Sequence, residues 1–144
     1  MDVTREQIVA EARHWIGTPF QHGQSCKGQG ADCIGLVIGV FRELGCLPPD
    51  YFPPPYSQQW HVHQHDELLT RMAVAAGFTE KHLEPEPGDI FLFKFGHVCS
   101  HVGLYLGNSQ FMHSYHHLKR VVAQPLTGDL QQRLRKVMTC PWVH

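Results

Sequence analysis

The sequence is short of charge, has no long apolar run and contains no paired cysteines, and each lack removes a class of protein. Charged side chains are 17% of the 144 residues and the formal net charge is −1 at pH 7. A chain so close to neutral carries no basic footprint for nucleic acid and no polybasic patch for an anionic membrane surface. No apolar stretch approaches the ~20 residues that a membrane-spanning helix needs. The first residues, Met1-Asp2-Val3-Thr4-Arg5-Glu6, lack the apolar core of a secretory signal. Cys26, Cys33, Cys46, Cys99 and Cys140 are an odd set without paired spacing, which speaks against a disulfide framework and for a reducing compartment. The expectation is a protein made soluble in the cytoplasm, with no nucleic-acid and no membrane partner, that reaches any outside target through a virion or through lysis.

What is present is enough for one domain, residues 1–144, with no internal repeat or linker and a length that buries a core without staples. Its first half reads as helical. Thr4 with Gln7 three residues later forms a capping box, and Ile8, Ala12, Trp15 and Ile16 make one apolar stripe ending at Gly17. Phe20 to Gly30 is a polar, glycine-rich loop, and from Cys33 to Leu44 the residues Ile34, Val37, Ile38, Phe41 and Leu44 recur at helical spacing before Gly45. A third helix is expected over Asp66 to Ala76. Between these lies Leu47 to Tyr56, whose prolines exclude helix and central strand, so that it is a stiff loop on the surface or along a groove. A segment of this kind also suits a polyproline-binding partner.

The second half changes period. Asp89 to Phe95 alternates as a strand, with Ile90 and Leu92 on one face and Phe91, Phe93 and Phe95 on the other. His101 to Leu106 and Gln110 to Tyr115 read as a hairpin around Gly107-Asn108-Ser109. A short strand at Val121-Val122 ends at Pro125, and Arg133 to Cys140 reads as a last, edge strand. Helices followed by antiparallel strands give an α+β fold in which the Cys33 helix packs on a small sheet.

Two stretches carry chemistry. In Gly30-Ala31-Asp32-Cys33-Ile34-Gly35-Leu36-Val37 a cysteine stands where a loop becomes a helix, with Asp32 placed to cap it. Unpaired N–H groups and the helix dipole there favour a thiolate nucleophile, although free cysteines also serve as small buried apolar residues. The second stretch supplies a base: across the hairpin, His101 and His113 lie close enough for their side chains to meet. The resulting proposal is that Cys33 attacks, His101 takes the proton and His113 orients His101. His97 is a rival base, but it falls in a turn. His61, His63 and His65 alternate and would share one strand face, a weaker metal-site candidate. Otherwise no metal and no cofactor is implied. Cys26 lies seven residues before Cys33 and reads as an incidental loop thiol or as a disulfide partner for it.

Gly17-Thr18-Pro19-Phe20, Asp32-Cys33-Ile34-Gly35-Leu36, Pro87-Gly88-Asp89-Ile90, Ser100-His101-Val102-Gly103-Leu104-Tyr105 and Met112-His113-Ser114 follow one another through most of the chain. Together they resemble the successive landmarks of the NlpC-type cell-wall peptidases, cysteine hydrolases with a reduced papain-like core. The resemblance implies Cys33 as nucleophile, His101 as base and His113 as its orienting partner. It also implies a peptidoglycan stem peptide as substrate, cut typically between γ-D-glutamate and the diamino acid. The run Gly30 to Val37, with Phe41-Arg42-Glu43-Leu44-Gly45 after it, looks most like the branch found in phage and prophage tail modules, which would make tail proteins partners. Two positions depart from the pattern. Ile34 stands where many members have Ser, and Phe20-Gln21-His22-Gly23-Gln24 stands where many have Tyr-x-Trp-Gly-Gly. Asp32, Phe20, Gln21 and Ser100 are accordingly expected to form the oxyanion region and substrate wall. The twelve histidines make the chain cationic below about pH 6.5, which suits an anionic wall polymer. Two other readings remain: a tail-assembly or binding protein with little turnover, and a thiol amidase or acyltransferase acting on a non-wall substrate.

Overall fold

Thr4 begins the first helix as the sequence requires. Its Oγ1 accepts the Gln7 N–H at 3.1 Å while Gln7 Oε1 accepts the Thr4 N–H at 2.8 Å, a closed capping box. The computed structural model describes residues 2–53, 55–57 and 67–143. Helix α1 spans Arg5–Arg13, with Ile8 and Ala12 buried, and Trp15 buried in the turn beyond it. Ile16, expected in the same stripe, is 47% exposed. The helix ends at Arg13, so Ile16 falls out of helical phase.

Helix α2 (Cys33–Glu43) is the centre of the molecule, and every residue from Ile34 to Phe41 is buried. Gly39 explains how α1 approaches it: a Cβ there would meet the Trp15 ring at 2.1 Å, so glycine leaves the space the indole fills. Helix α3 (Leu68–Ala75) buries Leu69 and Ala73. Asp66, the expected start of α3, lies outside the described residues.

Two short strands, β1 (Ser25–Cys26) and β2 (Gly30–Ala31), pair within the glycine-rich loop. Among the described residues the main sheet is six-stranded and antiparallel, in the order β3 (Thr79–Lys81), β8 (Leu134–Thr139), β4 (Ile90–Phe95), β5 (Val98–Gly107), β6 (Gln110–Tyr115), β7 (Arg120–Pro125). The expected last edge strand is therefore interior: Thr79, Glu80 and Lys81 pair with Thr139, Met138 and Val137 and cover it. Strand β3 and a short helix α4 (Gly128–Arg133) are additions to the sequence reading. Asn108 and Ser109 close the β5–β6 hairpin with φ of 53° and 61°, the left-handed pair of a two-residue turn.

The alternation read in β4 sorts its residues onto two cores. Ile90 and Leu92 pack with α2 and α3, whereas Phe91 and Phe93 pack with Phe111 and Leu130 on the opposite face. Each fully buried aromatic stabilises the fold by about 1.5–3 kcal/mol. The β7 edge is covered by the chain leaving α1: Gly17 N–H donates to Val121 O at 3.0 Å, Val121 N–H to Thr18 O at 2.8 Å and Phe20 N–H to Lys119 O at 2.9 Å. These bonds protect the edge and deliver Phe20 to the end of the sheet where Cys33 lies. The α+β layout, with the cysteine helix against an antiparallel sheet, is as expected.

Candidate active site

Asp32 fixes the start of α2 by joining three segments. Its Oδ1 accepts the Gly35 N–H at 2.7 Å, and its Oδ2 accepts the Gly23 N–H at 2.8 Å and the Tyr56 hydroxyl. The His22 ring also stands 3.8 Å from Oδ2. Gly35 lets the loop lie across the first turn of α2, because a Cβ there would stand 1.8 Å from Gln24 O. From the sheet side, Ser114 Oγ donates to Ala31 O at 2.6 Å. Cys33 is thus held between the loop and β6, with its side chain partly exposed.

Burial pushes the Cys33 thiol up to about 12, and the neighbouring Asp32 carboxylate adds to the rise. Backbone hydrogen bonds from Val102, Ile34 and Cys33 itself act the other way without prevailing. Desolvation thus acts against the thiolate that the helix terminus favours, an opposing effect that the local sequence pattern does not reveal.

His101 on β5 and His113 on β6 are joined directly: Nε2 of the first stands 2.8 Å from Nδ1 of the second. Leu104 pairs with Met112 and Tyr105 with Phe111, a register that sets His113 beside Gly103, so the two rings meet on the diagonal. A Cβ at Gly103 would stand 2.9 Å from the Phe111 ring and 3.5 Å from the His113 Cβ. Glycine leaves that room. The far nitrogen of His113, Nε2, stands 2.9 Å from Gln124 Oε1 on β7. Phe93, Phe95 and Tyr115 surround the His101 ring, and Tyr115 stacks on His113 at 5.0 Å. Burial, then the neighbouring His113, holds His101 well below the usual histidine range. Burial takes His113 down to about 4, against a small opposing effect of Gln124.

Cys33 and His101 open on one cleft of about 480 Å³, whose wall also includes Asp32, Phe20 and Ser100. Of the expected wall residues only Gln21 stands apart; it is exposed and is tied through its backbone N–H to Ala31 O at 3.3 Å. His113 stands behind His101 rather than in the wall. The proline-rich segment reaches this cleft at its end, where Tyr56 enters the wall beside His22, while Phe52, Pro53 and Pro55 line an adjoining groove against Gln24 and Ile38. Tyr56, His22 and Gln124 were not singled out from sequence. An aromatic residue ending a proline run was the one signal for Tyr56. His116 and His117, just beyond β6, are exposed and also line the rim. His97 falls in the β4–β5 turn as expected, and Cys26 is an exposed free thiol. Among the described residues no group of His, Cys, Asp and Glu is arranged to hold a metal ion, and His61, His63 and His65 lie outside those residues. A thiol and an uncharged imidazole facing the same space are the parts needed for nucleophilic attack coupled to proton transfer.

Residues 17–139 match the model of the NlpC/P60 family. The chain is 32% identical over 108 residues to gamma-DL-glutamyl hydrolase of Bacillus subtilis (strain 168), covering 73% of this chain and 22% of the relative. It is 27% identical over 110 residues to murein DD-endopeptidase MepS/murein LD-carboxypeptidase of Escherichia coli (strain K12), covering 76% and 49%. The chain thus spans half or less of the length of these two relatives. The crystal structure of the NlpC/p60 domain of peptidoglycan hydrolase SagA superposes with a TM-score of 0.65 at 19% identity, over 95% of this chain and 99% of that one. The fold is accordingly the papain-like fold of these domains.

Proposed function

The chain belongs to the NlpC/P60 family, and from that premise we propose that it is a cysteine hydrolase of peptidoglycan stem peptides in which Cys33 is the nucleophile, His101 the general base and His113 the residue that orients it. The observation carrying this reading is the shared cleft: Cys33 and His101 line the same wall, and His101 is hydrogen-bonded at 2.8 Å to a second, fully buried histidine.

In this reading the thiol keeps its proton until substrate is bound. His101 takes the proton as Sγ forms a bond to the amide carbonyl carbon, and the imidazolium then protonates the leaving amine as the C–N bond breaks. Asp32 occupies the Gly35 N–H, so the Cys33 N–H at the helix start is left to stabilise the oxyanion. Water releases the thioester by the same proton route in reverse. Phe20, Ser100 and Tyr56 form the substrate wall.

The bond between γ-D-glutamate and the diamino acid is the proposed scissile bond. The similarity to a gamma-DL-glutamyl hydrolase supports it. The run Gly30 to Val37 supports a setting in a phage or prophage tail module, where synthesis in the cytoplasm is followed by action at the wall.

Mass spectrometry of purified peptidoglycan fragments, incubated with the wild type or with Cys33→Ala, tests the proposal. Stem peptides cut by the wild type alone are the expected result and name the bond. Retention of fragments without any cutting would replace it by a binding role. Incorporation of an added amine in place of water would replace it by acyl transfer.

A further inference from the structure

We propose that Gln124 is a positioning residue: its side-chain carbonyl fixes the proton positions on His113 and, through it, on His101, leaving His101 Nδ1 as the nitrogen that accepts a proton. The inference rests on His101 being the base of the proposed reaction, and its first readout does not depend on turnover.

A neutral imidazole has one N–H donor and one acceptor nitrogen. Both nitrogens of His113 are engaged, Nε2 with Gln124 Oε1 at 2.9 Å and Nδ1 with His101 Nε2 at 2.8 Å. An amide oxygen can only accept, so the His113 proton is on Nε2 and its Nδ1 is the acceptor. His101 must then donate from Nε2, which leaves its Nδ1 lone pair unprotonated. Burial keeps both rings from taking a second proton that would erase this order. With a donor in place of the Gln124 carbonyl the chain runs backwards. His113 would donate from Nδ1, and His101 would carry its proton on Nδ1, where it cannot accept one from a thiol.

The fold provides for the contact. Gln124 pairs with Phe111 and Val122 with His113 across β6 and β7, so Gln124 is the diagonal neighbour of His113, just as His113 is of His101. Three adjacent strands thus contribute one residue each to a row of two hydrogen bonds. Gln124 is only half-buried, which allows its replacement without opening the core.

The test is two-bond ¹H–¹⁵N correlation NMR of the histidine side chains in the wild type, Gln124→Met and Gln124→Lys, with thermal melts to check folding. In the wild type His101 and His113 both show the Nε2–H pattern. Gln124→Met, without a strong acceptor, gives mixed tautomers and a kcat about tenfold lower at unchanged KM, the size of one lost hydrogen bond. Gln124→Lys, which only donates, moves both rings toward Nδ1–H and lowers kcat further. An Nδ1–H pattern on His101 in the wild type, or tautomers unchanged in folded Gln124→Met, overturns the inference. If the wild type cuts no peptide, the proposed reaction fails while the spectra still decide the role of Gln124.

Discussion

The Tyr56 hydroxyl donates to the Asp32 oxygen that also accepts the Gly23 N–H, so the proline-rich segment closes over the residue that caps the Cys33 helix. Burial, then the Asp32 charge, pushes the phenol up, so it stays a donor at any working pH. Tyr56→Phe keeps the ring against His22 and removes one hydrogen bond to a charged group. The Gly23 and Gly35 bonds remain, so the loss falls near the lower end of the range for such bonds, about 1.5 kcal/mol. Urea denaturation of both proteins measures it, and an unchanged midpoint would mean that Tyr56 holds nothing in place.

The raised Cys33 thiol makes a kinetic prediction. Alkylation by iodoacetamide without substrate is slow at pH 7 and climbs about tenfold per pH unit toward pH 11, because the thiolate fraction does. The Asp32 charge contributes to the rise. Asp32→Asn keeps a capping side chain and moves the profile to lower pH. A plateau near neutral pH in the wild type would show that the thiolate is already formed and that His101 need not act as a base on the free enzyme.

His113 links the site to stability. Its pKa is about 4 in the folded chain and about 6.5 when unfolded, so below pH 6.5 the unfolded state binds more protons. Stability is therefore full above about pH 6.5, falls as pH drops toward 4 and levels off below that. The difference corresponds to about 3 kcal/mol from His113, and His101 shifts in the same direction. Denaturation curves between pH 8 and 4 should show the loss, and His113→Gln should flatten part of it.

Asp89, in the Pro-Gly-Asp landmark, lies in none of the cleft wall and explains its place structurally. It is fully buried, and it binds Arg5 at 3.1 Å, Lys81 at 2.8 Å and the Glu86 N–H at 2.8 Å, tying α1 to the strand ends. Burial pushes its carboxyl up, but the Glu86 N–H, Lys81, Arg5 and Thr139 together hold it below the usual range. Asp89→Asn leaves two cations facing a neutral amide. A cost of about 3 kcal/mol is expected, read as a lowered denaturation midpoint with Cys33 alkylation unaffected.

Local signals in the chain were readable because they act over a few residues. Thr4 and Gln7 stand three apart, Asp32 precedes its helix, and Phe91 and Phe93 alternate with Ile90 and Leu92. Strand β3 was not readable: three exposed or half-exposed residues, Thr79, Glu80 and Lys81, have no period, and their pairing with β8 joins residues almost sixty apart. That same pairing turned the expected edge strand into an interior one. In the site, the histidines announced themselves by residue type. Gln124 did not, since a glutamine on an edge strand reads as solvent-facing and only the β6–β7 register reveals what it touches. Tyr56 was hidden likewise, twenty-four residues from the carboxylate it binds.

Gly35 sets two effects of opposite sign against each other. As a helical residue it should gain about 1 kcal/mol on replacement by alanine. Its Cβ, however, would stand 1.8 Å from the Gln24 carbonyl oxygen and 2.9 Å from the carbonyl carbon, backbone atoms that cannot rotate aside. The loop must then move, and with it the Gly23 N–H bond to Asp32 and the Asp32 N–H bond to Gln24 O at 3.2 Å. Steric overlap of this kind costs about 1–3 kcal/mol or more, so the clash prevails and Gly35→Ala is less stable than the wild type. Gly28→Ala is the comparison, because that position has φ of 80° but, among the described residues, nothing within 4 Å of a new Cβ. It should cost only the left-handed backbone, about 1–2 kcal/mol, and leave Cys33 where it is. Gly35→Ala should in addition speed the reaction of Cys33 with a bulky disulfide reagent, since it displaces the loop whose Phe20 and His22 line the cleft with the thiol. Equal reactivity in the two variants would mean that the loop does not control access to Cys33.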